Sequence, residues 1–291
     1  MNAIIFGVNS QDGYYLKEYC HSLNLGVTGV SRSNGDWVKG DVADLNFVAN
    51  LVQTIRPDYV FHLAANSTTR HTALFENHQT ISTGTFNILE SVKLHAPKCR
   101  VFITGSGVQF ENTGLPINEQ TPFAANNAYA VSRIQSVYAA RYYRELGIKA
   151  YVGYLFHHES PRRKAHHMSQ FIASSIKKIA AGELETLSIG DVSVKKEWAY
   201  AKDIAEGIFT LTNQDQVFEA TIGTGETYSI QDWVEECAAI AGLDWRNFLQ
   251  TNEQSFNAEY SMLVSDPSTM RSIGWKPKTS FKELAQIMMA I

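Results

Sequence analysis

Five short apolar runs, Ile4–Phe6, Gly26–Val30, Tyr59–Leu63, Val101–Thr104 and Ala150–Leu155, recur through the first two-thirds of the chain, and none alternates strictly between polar and apolar residues. Strands that read this way are buried on both faces, as in a parallel sheet covered by helices. Amphipathic stretches of helical period lie between them: Tyr14–Ser22, Asp44–Ile55, Phe86–His95 and Tyr129–Leu146. Strand and helix in alternation predict an α/β fold with a doubly wound parallel sheet. A chain of 291 residues is long enough to bury about three-quarters of its unfolded surface, so the core needs no staples.

The last third changes character. A helix over Phe171–Ala181, short strands around Leu187–Ile189 and Ala220–Ile222, and helices near Ile230–Ala241 and Phe281–Met289 predict a small C-terminal α/β lobe. The division expected is a nucleotide-binding part over 1–165 and a substrate lobe over most of 166–291, with segments near 195–225 returning to the sheet. No Ser/Gly-rich linker separates the two, so a cleft between packed lobes is expected.

Several function classes fall away on charge and cysteine usage. Twenty-five basic residues against 29 acidic ones, with no basic run, leave no footprint for nucleic acid. No apolar run approaches the roughly 18 residues of a membrane span, and the chain opens directly into a strand rather than a signal-like stretch. Cys20, Cys99 and Cys237 are distant and odd in number, which fits reduced thiols and a cytoplasmic location. The adjacent pairs His157-His158 and His166-His167 would point to opposite faces of a strand, so no metal is expected.

Three segments carry chemistry. The first strand runs into Gly7-Val8-Asn9-Ser10-Gln11-Asp12-Gly13 and then a helix. Such a turn brings backbone N–H groups up to a pyrophosphate, and Ser10 stands where a third glycine is usual. The second strand ends in Val30-Ser31-Arg32-Ser33, with no acid for a ribose 2′-hydroxyl. Arg32 suits a 2′-phosphate, so NADP(H) is expected over NAD(H). Asp41 and Val42 follow a third short strand, where Asp41 can bond an adenine amine. The fourth strand ends Leu63-Ala64-Ala65-Asn66-Ser67, whose small residues admit a cofactor at the carboxyl edge of the sheet. Finally, Tyr129 and Arg133 lie one helical turn apart on the same face. A cation there favours the phenolate, the form that takes a proton from a sugar hydroxyl.

These segments resemble the extended short-chain dehydrogenases/reductases, and most closely the GDP-mannose 4,6-dehydratase family. Gly7 to Leu16 is similar to that family's GITGQDGSYL, and Leu155-Phe156-His157-His158-Glu159-Ser160-Pro161-Arg162-Arg163 to its LFNHESPRR. Lys196-Glu197-Trp198-Ala199-Tyr200-Ala201-Lys202-Asp203 is similar to RDWGHAKD, and the stretches Ala258-Glu259 to Asp266-Pro267 and Gly274-Trp275-Lys276-Pro277 to its closing segment. The resemblance implies a Rossmann-type fold and redox chemistry on a GDP-linked hexose. It also implies a homodimer built through a four-helix bundle, or a homotetramer. It assigns cofactor contacts to His158 and Arg163, and substrate contacts to Asn66, His157, Glu159, Arg162, Lys196 and Glu259. Arg162 and Lys196 would take the diphosphate through charge-assisted bonds.

The family's reaction begins when a tyrosine deprotonates the C4 hydroxyl as hydride passes to NADP. A glutamate then removes the C5 proton while water leaves C6 with help from a threonine, and hydride returns to C6. Against STSELYG this chain has Ser106-Gly107-Val108-Gln109-Phe110. That pairing puts Gln109 in the glutamate's place and leaves Gly107 without the threonine's hydroxyl, with Ser106 beside them. Arg133 replaces the lysine of YxxxK, His157 replaces an asparagine, and Phe256-Asn257 stands where RPxE supplies arginine and proline. Glu111 is the substitute base if the loop is remodelled. Three readings therefore stay open: a nucleotide-sugar dehydratase with altered activity, a 4-keto-sugar reductase, and a silent NADP-binding homologue. Tyr138, Tyr142 and Tyr143, at helical spacing, read as core or subunit interface.

Overall fold

The computed structural model describes residues 1–251 and 260–290. Its centre is a seven-stranded parallel sheet built from β1 (Asn2–Phe6), β2 (Gly26–Ser31), β3 (Val38–Lys39), β4 (Tyr59–His62), β5 (Arg100–Ser106), β6 (Lys149–Leu155) and the strand Glu219–Ile222. From one edge the order is Glu219–Ile222, β6, β5, β4, β1, β2, β3. Every neighbouring pair runs parallel. The order reverses at β1, which pairs with β2 on one side and β4 on the other, and in such sheets a ligand crevice opens at that point beyond the carboxyl ends. The strand Glu219–Ile222 joins the sheet from the last third of the chain, beside β6.

The helices are α1 (Gln11–Ser22), α2 (Leu45–Ile55), α3 (Leu74–Asn77), α4 (Gly84–His95), α5 (Ala128–Glu145), α6 (Met168–Ala180), α7 (Ala201–Thr212) and α8 (Ile230–Ile240), followed by Ser268–Ser272 and Phe281–Met289. On one face of the sheet Val48, Val52, Ile88, Leu89, Val92, Val137 and Ala140 join Ile4, Val60, Val101 and Val152 in one buried cluster. On the other, Leu16 and Cys20 of α1 and Ile204, Ile208 and Leu211 of α7 pack against Ile5, Phe61 and Phe102. Each such side chain, buried from water, contributes about 1.5–3 kcal/mol before entropy is counted. A third cluster gathers α6, α8 and the helix Phe281–Met289 around Trp198 and Trp233, whose rings stack 4.5 Å apart.

Helices start earlier than hydrophobic period alone suggested, α6 at Met168 rather than Phe171 among them. Ser10 caps α1 by accepting a hydrogen bond from Gly13 N at 3.0 Å, so the helix begins at Gln11 rather than Tyr14. The stretch expected from Phe86 continues backward through a π-helical turn at His78–Thr83 into α3. Polar residues there, such as Asn77 and Thr80, are buried by tertiary contact and broke the apolar pattern. Among the described residues no helix is long and apolar enough to cross a membrane. All three cysteines are free and buried.

Candidate functional site

Two cavities of about 420 and 430 Å³ lie side by side at the carboxyl edge of the sheet, and Ser10, Leu63 and Ala65 line both. They meet where β1 turns into α1. Gly7 adopts φ +88°, and a Cβ there would sit 2.7 Å from Ala64 N, so only glycine lets the β1 and β4 ends close on each other. Gly13 has the matching role in the helix, where a Cβ would lie 2.3 Å from the Gly7 carbonyl; it is a packing residue that lines neither cavity.

The first cavity is lined by Gly7, Ser10, Arg32, Asp41, Val42, Leu63, Ala64 and Ala65, all expected at a cofactor. Asn66 lines this cavity too, and not the one that holds Tyr129. Its amide donates to Glu76 Oε2 at 2.7 Å because the chain after β4 turns toward α3. Arg32 is in place but not unpartnered, since its Nη2 lies 2.9 Å from Glu76 Oε1. Sequence reasoning missed Glu76, for it lies 44 residues from Arg32 and only the tertiary fold brings them together.

The second cavity gathers most of the side chains expected to carry chemistry. Ser106 and Gly107 at the end of β5, Tyr129 and Arg133 on α5, and Ser67 after β4 all line it. Asn127 caps α5 through Ala130 N, which fixes Tyr129 in the helix's first turn. The Arg133 guanidinium lies 4.9 Å from the Tyr129 ring centroid and donates to Thr104 O at 2.6 Å. Its Nε is buried with no hydrogen-bond partner, a donor left over for a ligand hydroxyl. Together with the glycine cradle, that spare donor fits a dinucleotide spanning both cavities.

Gln109 is elsewhere. It is fully buried and does not line the cavity; Val108 does. Ser106 and Gln109 form a capping box around the turn Gly107–Gln109, with Gln109 Oε1 accepting from Ser106 N at 2.8 Å. The carboxamide is thus turned inward by the backbone it caps, and the side chain of this turn between Gly107 and Phe110 that lines the cavity is the apolar Val108. Gly107 cannot carry a larger residue unaided, since a Cβ would stand 2.8 Å from the Phe156 ring. The hydroxyl at this wall is that of Ser106. Glu111 offers no substitute: it is exposed, outside the cavity lining, and its N–H donates to Pro122 O.

The far wall comes from the segment after β6. His158 donates from Nε2 to Asp12 Oδ1 (2.8 Å) and from Nδ1 to Phe156 O (2.6 Å), while Gln11 donates to His158 O and accepts from Ser160 Oγ, so this segment is tied to the N-terminus of α1. Burial opposes charge on both members of the His158–Asp12 pair, but their mutual attraction wins, raising the histidine and lowering the carboxyl. Glu159 is buried between Arg163 Nε (3.1 Å), Ser169 Oγ (2.6 Å) and Lys196 Nζ (3.5 Å). Against the cost of burial, those cations hold its carboxyl down at about 2. Burial and the charge of Lys196 push His157 down to about 3, so it is a neutral ring, bonded to Tyr260 Oη at 3.0 Å. His157, Glu159, Arg163 and Lys196 all line the cavity. Arg162 does not. Its guanidinium lies 3.5 Å over the Tyr14 ring, on the outside of α1, where stacking on an aromatic face holds it away from the cavity. Glu259, Phe256 and Asn257 lie outside the described residues. Among the described residues no group of three or more His, Cys, Asp or Glu side chains is arranged to hold a metal.

A seven-stranded parallel sheet, a capped glycine turn at its switch point, and a tyrosine–cation pair facing the same crevice define an extended short-chain dehydrogenase/reductase. The profile of the GDP-mannose 4,6 dehydratase family matches residues 4–288. The chain belongs to that family. It is 27% identical over 321 residues to GDP-mannose 4,6 dehydratase 1 of Arabidopsis thaliana, covering 99% of this chain and 88% of that protein. The human GDP-mannose 4,6 dehydratase is 24% identical, with 99% and 90% covered. Among solved structures, RMD from Pseudomonas aeruginosa complexed with NADPH superposes with a TM-score of 0.87 at 19% identity, covering 99% and 97%. UDP-glucose 4-epimerase of Thermotoga maritima with UDP-glucose does so with 0.87 at 18%, covering 100% and 98%. At such identities the structural likeness speaks for the fold.

Proposed function

We propose that this protein is an NADP(H)-dependent oxidoreductase acting at C4 of a nucleoside-diphosphate hexose, with a GDP-linked 4-keto sugar as the substrate to be reduced. The observation that supports this over dehydration is the wall beside Tyr129, where Ser106, Gly107 and Val108 stand and no carboxylate does. The cavity's two described carboxylates, Asp12 and Glu159, are each committed to cations. Tyr129 delivers or takes the proton on the C4 oxygen, with the Ser106 hydroxyl as second hydrogen-bond partner. Arg133 keeps positive charge against the Tyr129 ring, and its Nε–H is buried without a partner. The nicotinamide, when bound, supplies the hydride. Arg163 and Lys196 give the far wall its positive charge for a diphosphate, and His157, neutral, offers that end a hydrogen bond rather than repulsion.

Incubation with NADPH and a panel of sugar nucleotides and their 4-keto forms, read by product mass, tests this. Addition of two hydrogens supports reduction; loss of water from an unmodified hexose refutes it. Cofactor choice is tested by affinity for NADP⁺ and NAD⁺, with Arg32→Ala expected to erase the preference. The proposed assembly is a homodimer, with a homotetramer as the larger alternative. Supporting the dimer, α4 and α5 present Phe86, Tyr138 and Tyr142 to solvent along one apolar groove. Buried reduced thiols fit a cytoplasmic setting.

A further inference from the structure

The first cavity is lined by two cations, Arg32 and Lys164, and by two acids, Asp41 and Glu76. Formal charge there sums to zero, which is unexpected in a pocket meant to prefer a ligand with an extra phosphate. The placement of Glu76 is built rather than incidental. Its two carboxylate oxygens are both engaged, one by Arg32 Nη2 at 2.9 Å and the other by Asn66 Nδ2 at 2.7 Å. Those two bonds hold the carboxyl below its ordinary value, so it is charged throughout the neutral range. Its short helix α3 is pinned to the loop after β4, where buried Asn77 donates to Thr68 O at 3.1 Å. Asn66 directly, and Thr68 through Asn77, thus hold Glu76 from the loop after β4.

We propose that Glu76 is a specificity-determining residue, an internal anion that occupies the Arg32 guanidinium and that a ribose 2′-phosphate must displace. The inference rests on the dinucleotide reading of this cavity and adds to it the reason why NADP(H) preference is held down. A 2′-phosphate entering beside Glu76 meets an anion as well as a cation, whereas a 2′-hydroxyl meets no such repulsion. The pair is half-exposed, at 55% and 41% for the two side chains, so its effect is moderate and sensitive to salt.

Isothermal titration of NADP⁺ and NAD⁺ into the unmutated protein and into Glu76→Gln tests this directly. The amide keeps an acceptor for Asn66 but not the charge. Glu76→Gln is expected to tighten NADP⁺ binding by roughly three- to tenfold at low salt, less at high salt. NAD⁺ affinity should stay within about twofold, and the NADP⁺ gain should shrink when Arg32→Ala is added, since only the direct repulsion by Glu76 is then left to relieve. Unchanged or weaker NADP⁺ binding would overturn the proposal, showing that Glu76 holds Arg32 ready rather than occupying it. An equal gain for both dinucleotides would overturn it as well, since the effect would then be general charge. Failure of the unmutated protein to bind either dinucleotide would bring down the cofactor reading itself, a result distinct from the other two.

Discussion

Replacing Gln109 by glutamate is the change that sequence alignment invites, because it restores a carboxylate at the position paired with the family's base. The structure predicts the opposite of a gain. Gln109 is fully buried, its Oε1 is taken by Ser106 N–H at 2.8 Å, and its Nε2 has no partner. Glutamate would keep the bond to Ser106 and bury a second oxygen without a donor. Burial at such a depth raises the carboxyl well above its value of about 4.3 in the unfolded chain. At about pH 7 the unfolded state has lost its proton and the folded state has not, so the cost is about 3–4 kcal/mol at about 1.4 kcal/mol per pH unit. The sign follows from the raised folded value: the penalty grows as pH rises above about 4.3 and shrinks to about 1 kcal/mol near pH 5. Denaturant unfolding at the two pH values, with the m-value constant, measures this. The companion change Val108→Glu lies on the cavity wall, where solvent reaches it, and should cost about 1 kcal/mol or less. It is also the variant expected to gain dehydration, since a positioned base contributes about 10²–10⁴-fold. A Gln109→Glu protein as stable as its parent at neutral pH, and newly able to release water from the hexose, would refute the inward placement of Gln109 and the assignment of the wall to Val108.

Further outcomes follow from the same geometry. Tyr129→Phe should lower NADPH-linked turnover by about 10²–10⁴-fold, followed by absorbance of the reduced cofactor; persistence of full activity would remove Tyr129 from proton transfer. Gly7→Ala forces a positive φ on a side chain and a 2.7 Å approach to Ala64 N, so it should destabilise by at least about 1–2 kcal/mol and abolish dinucleotide binding by titration. Because His158 is raised and Asp12 lowered, the stability lost in His158→Gln should be greatest below about pH 6.5 and fade as pH climbs through the raised histidine value. Melting curves from pH 5 to about 9 check it, and a deficit that grows with pH would reverse the assignment. Light scattering at micromolar concentration should give twice or four times the chain mass, and Tyr138→Glu with Tyr142→Glu on the exposed groove should reduce it to one.

The sequence alone determined the sheet, because runs such as Tyr59–Leu63 and Val101–Thr104 lack polar alternation, as strands covered by helices on both faces do. It also located the glycine turn, the β4 edge and the Tyr129–Arg133 pair, since each depends on local spacing: a tight turn, small residues, one helical turn. Even the fate of Gln109 was legible, for Ser106-x-x-Gln109 is the spacing of a capping box, and a residue that caps its own turn is not free to face a substrate. Pairing by family alignment overrode that local signal. What the tertiary structure alone decided depends on residues far apart in sequence: Glu76 against Arg32, Arg162 over Tyr14, Asn66 drawn to Glu76 beside Arg32, and the His158–Asp12 link across the crevice. Partnerships of that kind arise from how elements close on one another, and charge or aromatic character at one position does not name a partner dozens of residues away.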